Sequence, residues 1–130
     1  MASDEYRRKT KRDKKAKAHY KKIGDKVSFA YTLWGEGTAF KMMGMLPEAK
    51  KDFSDARKLF KETRDERRLS YCELSFGELE FLKGRRSGAK ILFQKALKRA
   101  KSFFFGVEMK YAGRLIQALK RGKGFPFNLP

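Results

Sequence analysis

The chain has 130 residues and a formal net charge of +18, from 33 Lys and Arg against 15 Asp and Glu. That length suits one domain or a short stack of helices. Its single cysteine, Cys72, excludes an intramolecular disulfide and argues against a cysteine-based structural zinc site.

The charge favours encounter with an acidic protein, RNA or an anionic lipid surface, the plain alternative being a merely basic exterior. The longest apolar runs, such as Phe103-Phe104-Phe105, are too short to span a bilayer. No apolar stretch follows the basic N-terminal residues, so neither a membrane span nor a secretory signal is expected, and the cytoplasm is the default location.

The first element is a basic helix near residues 5–23, within an N-terminal segment 1–25. Residues 1–26 carry eleven basic and four acidic side chains. Ala16, Tyr20, Ile23 and Val27 give this segment a thin apolar stripe, and its other faces are almost all Lys and Arg. It either caps the helices that follow or frays into a basic arm. Capping is favoured, because an uncapped hairpin exposes apolar surface. His19 is the only histidine and stands among lysines, leaving metal or His-based chemistry nothing to work with.

A second helix is expected over 26–43, closed by the turn Met43-Gly44-Met45. Pro47 then sits in the first turn of a helix over 47–63, where its missing N–H costs nothing. Thr63 and Glu66 fit a capping box before a helix over 66–83. Gly84 ends that helix, and Ser87 is expected to cap the next, over 87–102. A last helix runs over 106–121 and leaves a tail from Gly122 to Pro130. Apolar residues recur three and four apart throughout, with no sustained alternation, so the fold class is all-α with about six helices.

The elements repeat. Tyr31, Gly37, Gly44, Ala49, Phe53 and Ala56 return forty residues later as Tyr71, Gly77, Gly84, Ala89, Phe93 and Ala96, and Tyr111 and Gly124 begin a third copy. Small and aromatic residues in fixed order mark stacked units that cannot bury their apolar faces alone. Ala49, Phe53 and Ala56 form one helical stripe, small, large, small. It fits a partner helix that offers Gly37 opposite the phenylalanine, which offsets the roughly 1 kcal/mol that a mid-helix glycine costs.

Through Ala30, Leu33, Gly37, Phe40, Gly44, Ala49, Phe53 and Ala56, and again Gly77, Gly84, Ala89, Phe93 and Ala96, the chain resembles the tetratricopeptide repeat (TPR) family. The form is a longer one of about 40 residues rather than about 34. Glu36 and Glu80 depart from it, standing where the family prefers Leu and Tyr. The resemblance covers about residues 26–121 and implies an α-solenoid of stacked antiparallel hairpins. Repeat 1 is then 26–65, repeat 2 is 66–105, and 106–121 is a C-terminal half repeat.

The resemblance also implies that the first helix of each pair lines a concave binding surface. Tyr31, Trp34, Thr38 and Lys41 fall there in the first copy, with Gly35 and Met42. Tyr71, Leu74, Glu78 and Phe81 follow in the second, with Ser75 and Leu82, and Tyr111 and Arg114 in the third. Tyr31, Tyr71 and Tyr111 then form a row with Trp34 beside the first, aromatic anchors with polar tips. The plain alternative is that these tyrosines seal one hairpin against the next, and that Trp34 is core. The Lys/Asn/Arg clamp by which some members grip chaperone tails is missing, since Trp34, Thr38 and Ser75 stand in its places.

Two functions follow. One is a non-catalytic adaptor holding an acidic peptide or helix on that surface. The other is RNA binding, with phosphates met by Arg7, Arg8, Lys11, Arg12 and Lys15, and by Arg85 and Arg86. The Gly-rich segments at 84–88 and 121–124 lack phosphate-loop spacing and read as helix turns. No nucleophile–base pair, metal site or cofactor site can be argued. Phe125, Phe127 and Leu129 in the tail suit an extended segment that docks on this molecule or a neighbour.

Overall fold

A computed structural model describes residues 2–121; the expected docking of Phe125, Phe127 and Leu129 lies outside them. The described residues form six helices and no strand: α1 (Ala2–Ile23), α2 (Lys26–Met42), α3 (Leu46–Glu62), α4 (Glu66–Leu82), α5 (Arg86–Ser102) and α6 (Gly106–Arg121). They fall into two compact units, the first ending at Asp65 and the second beginning at Glu66. In the first, α2 packs against both α1 and α3. In the second, α5 packs against α4 and α6, and α6 also touches α4.

The turns share one design. In each, a residue with positive φ follows the helix by one or two positions: Gly24, Gly44, Arg64, Gly84 and Phe104, every twentieth residue. The next N–H reaches back five residues, as in Met45 to the Phe40 carbonyl (2.9 Å), Asp65 to Phe60 (2.8 Å), Arg85 to Glu80 (2.8 Å) and Phe105 to Ala100 (2.8 Å). This Schellman closure satisfies carbonyls that the helix end would otherwise leave unpaired.

Two expected caps are corrected by this geometry. Thr63 closes α3, its hydroxyl donating to the Leu59 carbonyl at 3.0 Å, so it does not open α4. Ser87 lies inside α5; the cap position is Arg85, whose side chain makes no cap hydrogen bond. The side-chain cap that sequence reading missed is Asp25. Its carboxylate accepts from the Ser28 N–H (3.0 Å) and hydroxyl (2.8 Å), and those bonds, the backbone one first, lower its pKa.

Each unit is built on the same contact between glycine and phenylalanine. A Cβ added at Gly37 would lie 2.8 Å from Phe53 Cε1, and one at Gly77 would lie 2.7 Å from Phe93 Cδ1. Phe53 and Phe93 are completely buried, flanked by the buried pairs Ala49 and Ala56, Ala89 and Ala96. The bare backbone of one helix receives the ring of the other, as the small–large–small stripe requires. In the second unit Leu74, Tyr111, Ala112, Leu115 and Leu119 complete the core around Phe93.

Candidate functional site

α2 carries apolar residues on both its buried and its exposed sides. Ala30, Leu33, Gly37 and Ala39 are buried, yet Val27, Tyr31 and Met42 remain exposed, Tyr31 by 54%. Spaced by three and four, Val27, Tyr31, Trp34, Thr38 and Met42 follow one face of the helix. The Tyr31 and Trp34 rings lie 6.2 Å apart, tilted by 33°. Trp34 and Thr38 are half-buried, and the Thr38 hydroxyl donates to the Trp34 carbonyl at 2.9 Å. Lys41, expected on this surface, is buried instead.

In the second unit the expected aromatic surface is corrected. Tyr111, Leu74 and Glu78 are buried. The Tyr71 hydroxyl donates to Glu108 Oε1 at 2.6 Å, from α4 to α6. Tyr111 on α6 hydrogen-bonds in return with Glu78 on α4. Burial first, then these carboxylates, push Tyr71 up to about 12 and Tyr111 upward as well. Both phenols brace one helix against another, because their ring bodies are apolar and their tips reach a buried acid. Phe81 is half-buried with the Arg86 guanidinium 5.8 Å from its ring centre, and Arg114 is exposed.

The basic candidates divide in the same way. Arg7, Arg8, Lys11, Arg12 and Lys15 are exposed along α1. Lys9 pairs with Asp13 at 2.8 Å, and Lys17 with the buried Glu36 at 3.0 Å. Lys9 also approaches Gly35, where an added Cβ would come within 3.0 Å of its Nζ, so α1 lies close on α2. Arg85 is 3.6 Å from Glu80. Arg86 donates to the Leu119 carbonyl near the end of α6, so it has a structural task that its expected role in anion binding does not include.

Sequence reasoning missed the buried acids. Glu36, Asp52, Glu73, Glu78 and Glu108 are all buried. Glu73 is held by Arg99, which also reaches Glu66, each at 2.5 Å. Glu36 and Asp52 lie together beneath Lys17. Burial first, then hydrogen bonding to Glu36 and the repulsion between the two carboxylates, push Asp52 up to about 8. The one signal in the chain was the glycine on each side of Glu36, since Gly35 and Gly37 let α1 and α3 approach closely.

Cys72 is buried and His19 packs edge-on against Tyr20. Among the described residues no group of three His, Cys, Asp or Glu could hold a metal ion, and no helix is long and apolar enough to cross a membrane. The described surface offers an apolar aromatic stripe on α2 and rows of cations. No protein-family model, curated protein or solved structure matches this chain.

Proposed function

We propose that the chain is a non-catalytic, cytoplasmic adaptor of TPR type that holds an acidic peptide or helix against the outer face of α2. The observation that carries this is the stripe of exposed Val27, Tyr31 and Met42 with half-buried Trp34 among them, on a helix whose other face is already buried. Apolar side chains left uncovered on a packed helix suit a surface that a partner covers. The cations of α1, which packs on α2, supply attraction for a partner bearing carboxylates. The forty-residue register and the recurring glycine–phenylalanine contact support membership of the repeat class. Glu36, the departure from the family pattern, has a local reason in its ion pair with Lys17.

Selection of displayed peptides on the immobilised protein tests this, with binding followed by the fluorescence polarisation of a labelled peptide, a readout that survives loss of Trp34, the only tryptophan. Enriched peptides should combine Asp or Glu with aliphatic residues. Tyr31→Ala should weaken them by about 2 kcal/mol or more if the pair is a hot spot. No enrichment, or binding indifferent to both Tyr31→Ala and Trp34→Ala, overturns the proposal.

The exposed run Arg7, Arg8, Lys11, Arg12 and Lys15 favours RNA as a second reading. It requires a salt slope of about −0.7 per phosphate neutralised on a single strand, and loss of binding on removing residues 1–22.

A further inference from the structure

The α5–α6 turn carries two features that neither folding nor binding at α2 accounts for. Phe104 stands at φ +57°, in the place where Gly24, Gly44 and Gly84 serve the same Schellman turn. A bulky residue in the left-handed region is strained, and glycine is the residue that such a turn selects. The ring gains nothing in return from packing, since Phe104 is 88% exposed. Phe103 and Val107 beside it are each about half exposed, so three apolar side chains protrude from a single turn. Strain together with apolar exposure marks a functional position rather than a packing one.

The surroundings are mostly cationic, although Arg67 faces the buried Glu108 at 3.6 Å and Arg99 is paired with Glu66 and Glu73. From residue 81 to 121 there are twelve Lys and Arg and one acid, Glu108, which is buried. Lys98 and Lys101 are exposed on the last turns of α5, and Lys110 is exposed early in α6. Arg67 lies 4.6 Å from the Phe105 ring centre, and Phe105 stacks on Phe103 at 5.5 Å.

We propose that this turn is a peripheral anchor for an anionic lipid bilayer. Phe103, Phe104 and Val107 enter between the headgroups, and Lys98, Lys101, Lys110 and Arg67 meet the lipid phosphates and carboxylates. Charge complementarity selects an anionic partner, and the shape of the apolar group selects the bilayer. An aliphatic tip such as Val107 has no π-face to offer a nucleic-acid base, and Phe103 and Phe105 already stack on each other. A protruding wedge ringed by cations suits an interface that is apolar in depth and negative at its surface. A few inserted residues give weak, reversible binding that depends on both parts.

Co-sedimentation of the full chain with phosphatidylcholine vesicles, with and without phosphatidylserine, tests the anchor. Binding is expected only with phosphatidylserine, and added salt should weaken it. Phe104→Gly relieves the backbone and keeps the chain folded, yet should lower vesicle binding about tenfold or more. A variant with Lys98, Lys101 and Lys110 all changed to Glu should lose binding altogether. Failure of the native chain to bind serine-containing vesicles overturns the proposal. Full binding by Phe104→Gly overturns it too, leaving charge alone. Loss of poly(U) binding in Phe104→Gly, with vesicles ignored throughout, also overturns it and makes the turn a nucleic-acid contact. Because α2 takes no part, Trp34→Ala should leave vesicle binding unchanged, which separates this test from that of the adaptor.

Discussion

The Tyr71 hydroxyl and Glu108 Oε1 lie 2.6 Å apart, a bond from the middle of α4 to the start of α6. Tyr111 and Glu78 repeat it in the opposite sense, so each helix contributes one phenol and one carboxylate. Glu108 is buried, and its second oxygen stands 3.6 Å from Arg67 Nε. Removing the phenol leaves a buried acid short of a donor. Tyr71→Phe is therefore expected to cost about 1–3 kcal/mol, measured by urea denaturation. Glu108→Gln, which keeps an acceptor and loses the charge, should cost less.

The same two bonds govern behaviour in alkali. Tyr71 is raised to about 12 and Tyr111 also lies above its ordinary value near 10. Between those values the unfolded chain has lost phenolic protons that the folded chain still holds, so stability falls as pH rises past about 10. Tyrosinate absorbance should show at least two phenols that ionise only together with loss of helical circular dichroism.

Asp52 makes the corresponding prediction nearer neutrality. Its carboxyl, raised from 3.8 to about 8 by burial and by Glu36, stays protonated in the folded chain after the unfolded one has ionised. The sign follows directly: stability is highest below about pH 4 and is progressively lost as pH rises toward 8, with Lys17 opposing part of the shift. Repulsion from Asp55 adds to it. Asp52→Asn should raise the melting temperature at pH 9, and the gain should shrink toward pH 4.

Gly77→Ala tests the core contact. The new methyl would lie 2.7 Å from Phe93 Cδ1 and closer still to Cε1, inside any normal carbon contact. Overpacking of this kind costs about 1–3 kcal/mol, against a helix-propensity gain of about 1 kcal/mol. Net destabilisation is expected by chemical denaturation. Combining it with Phe93→Leu should cost less than the sum of the two single changes.

Phe104→Gly should act in the other direction on stability. The left-handed conformation costs a residue with a Cβ about 1–2 kcal/mol, which glycine avoids, though glycine also gains freedom in the unfolded chain. A net rise of a few degrees in melting temperature is expected, checked by thermal circular dichroism. Arg64→Gly offers the same test at φ +55°.

How far the sequence spoke depended on whether a residue's task repeats. Gly37 with Phe53, and Gly77 with Phe93, were legible because one contact is made twice and leaves one spacing. The helix limits around Arg64 were read from a Thr63–Glu66 capping box that does not form, yet they fall within a residue of α3 and α4. Tyr71 and Tyr111 were set on the surface with Tyr31 for the opposite reason. Tyr31 is exposed, Tyr71 is half-buried and Tyr111 is buried, although all three hold equivalent places. Which task each performs depends on what stands beside it, and neighbours such as Glu78 and Glu108 do not repeat. Apart from the glycines flanking Glu36, nothing marked the buried acids, since a glutamate on a helix ordinarily reads as solvated.

Turns recur every twenty residues, but ring and bare backbone alternate between neighbouring helices and match only every forty. Splicing in one extra helix with its turn would keep every bend and still set phenylalanine against phenylalanine. Such a chain can be lengthened only by whole pairs. Evolution or an engineer adding surface to this protein must therefore copy it two helices at a time.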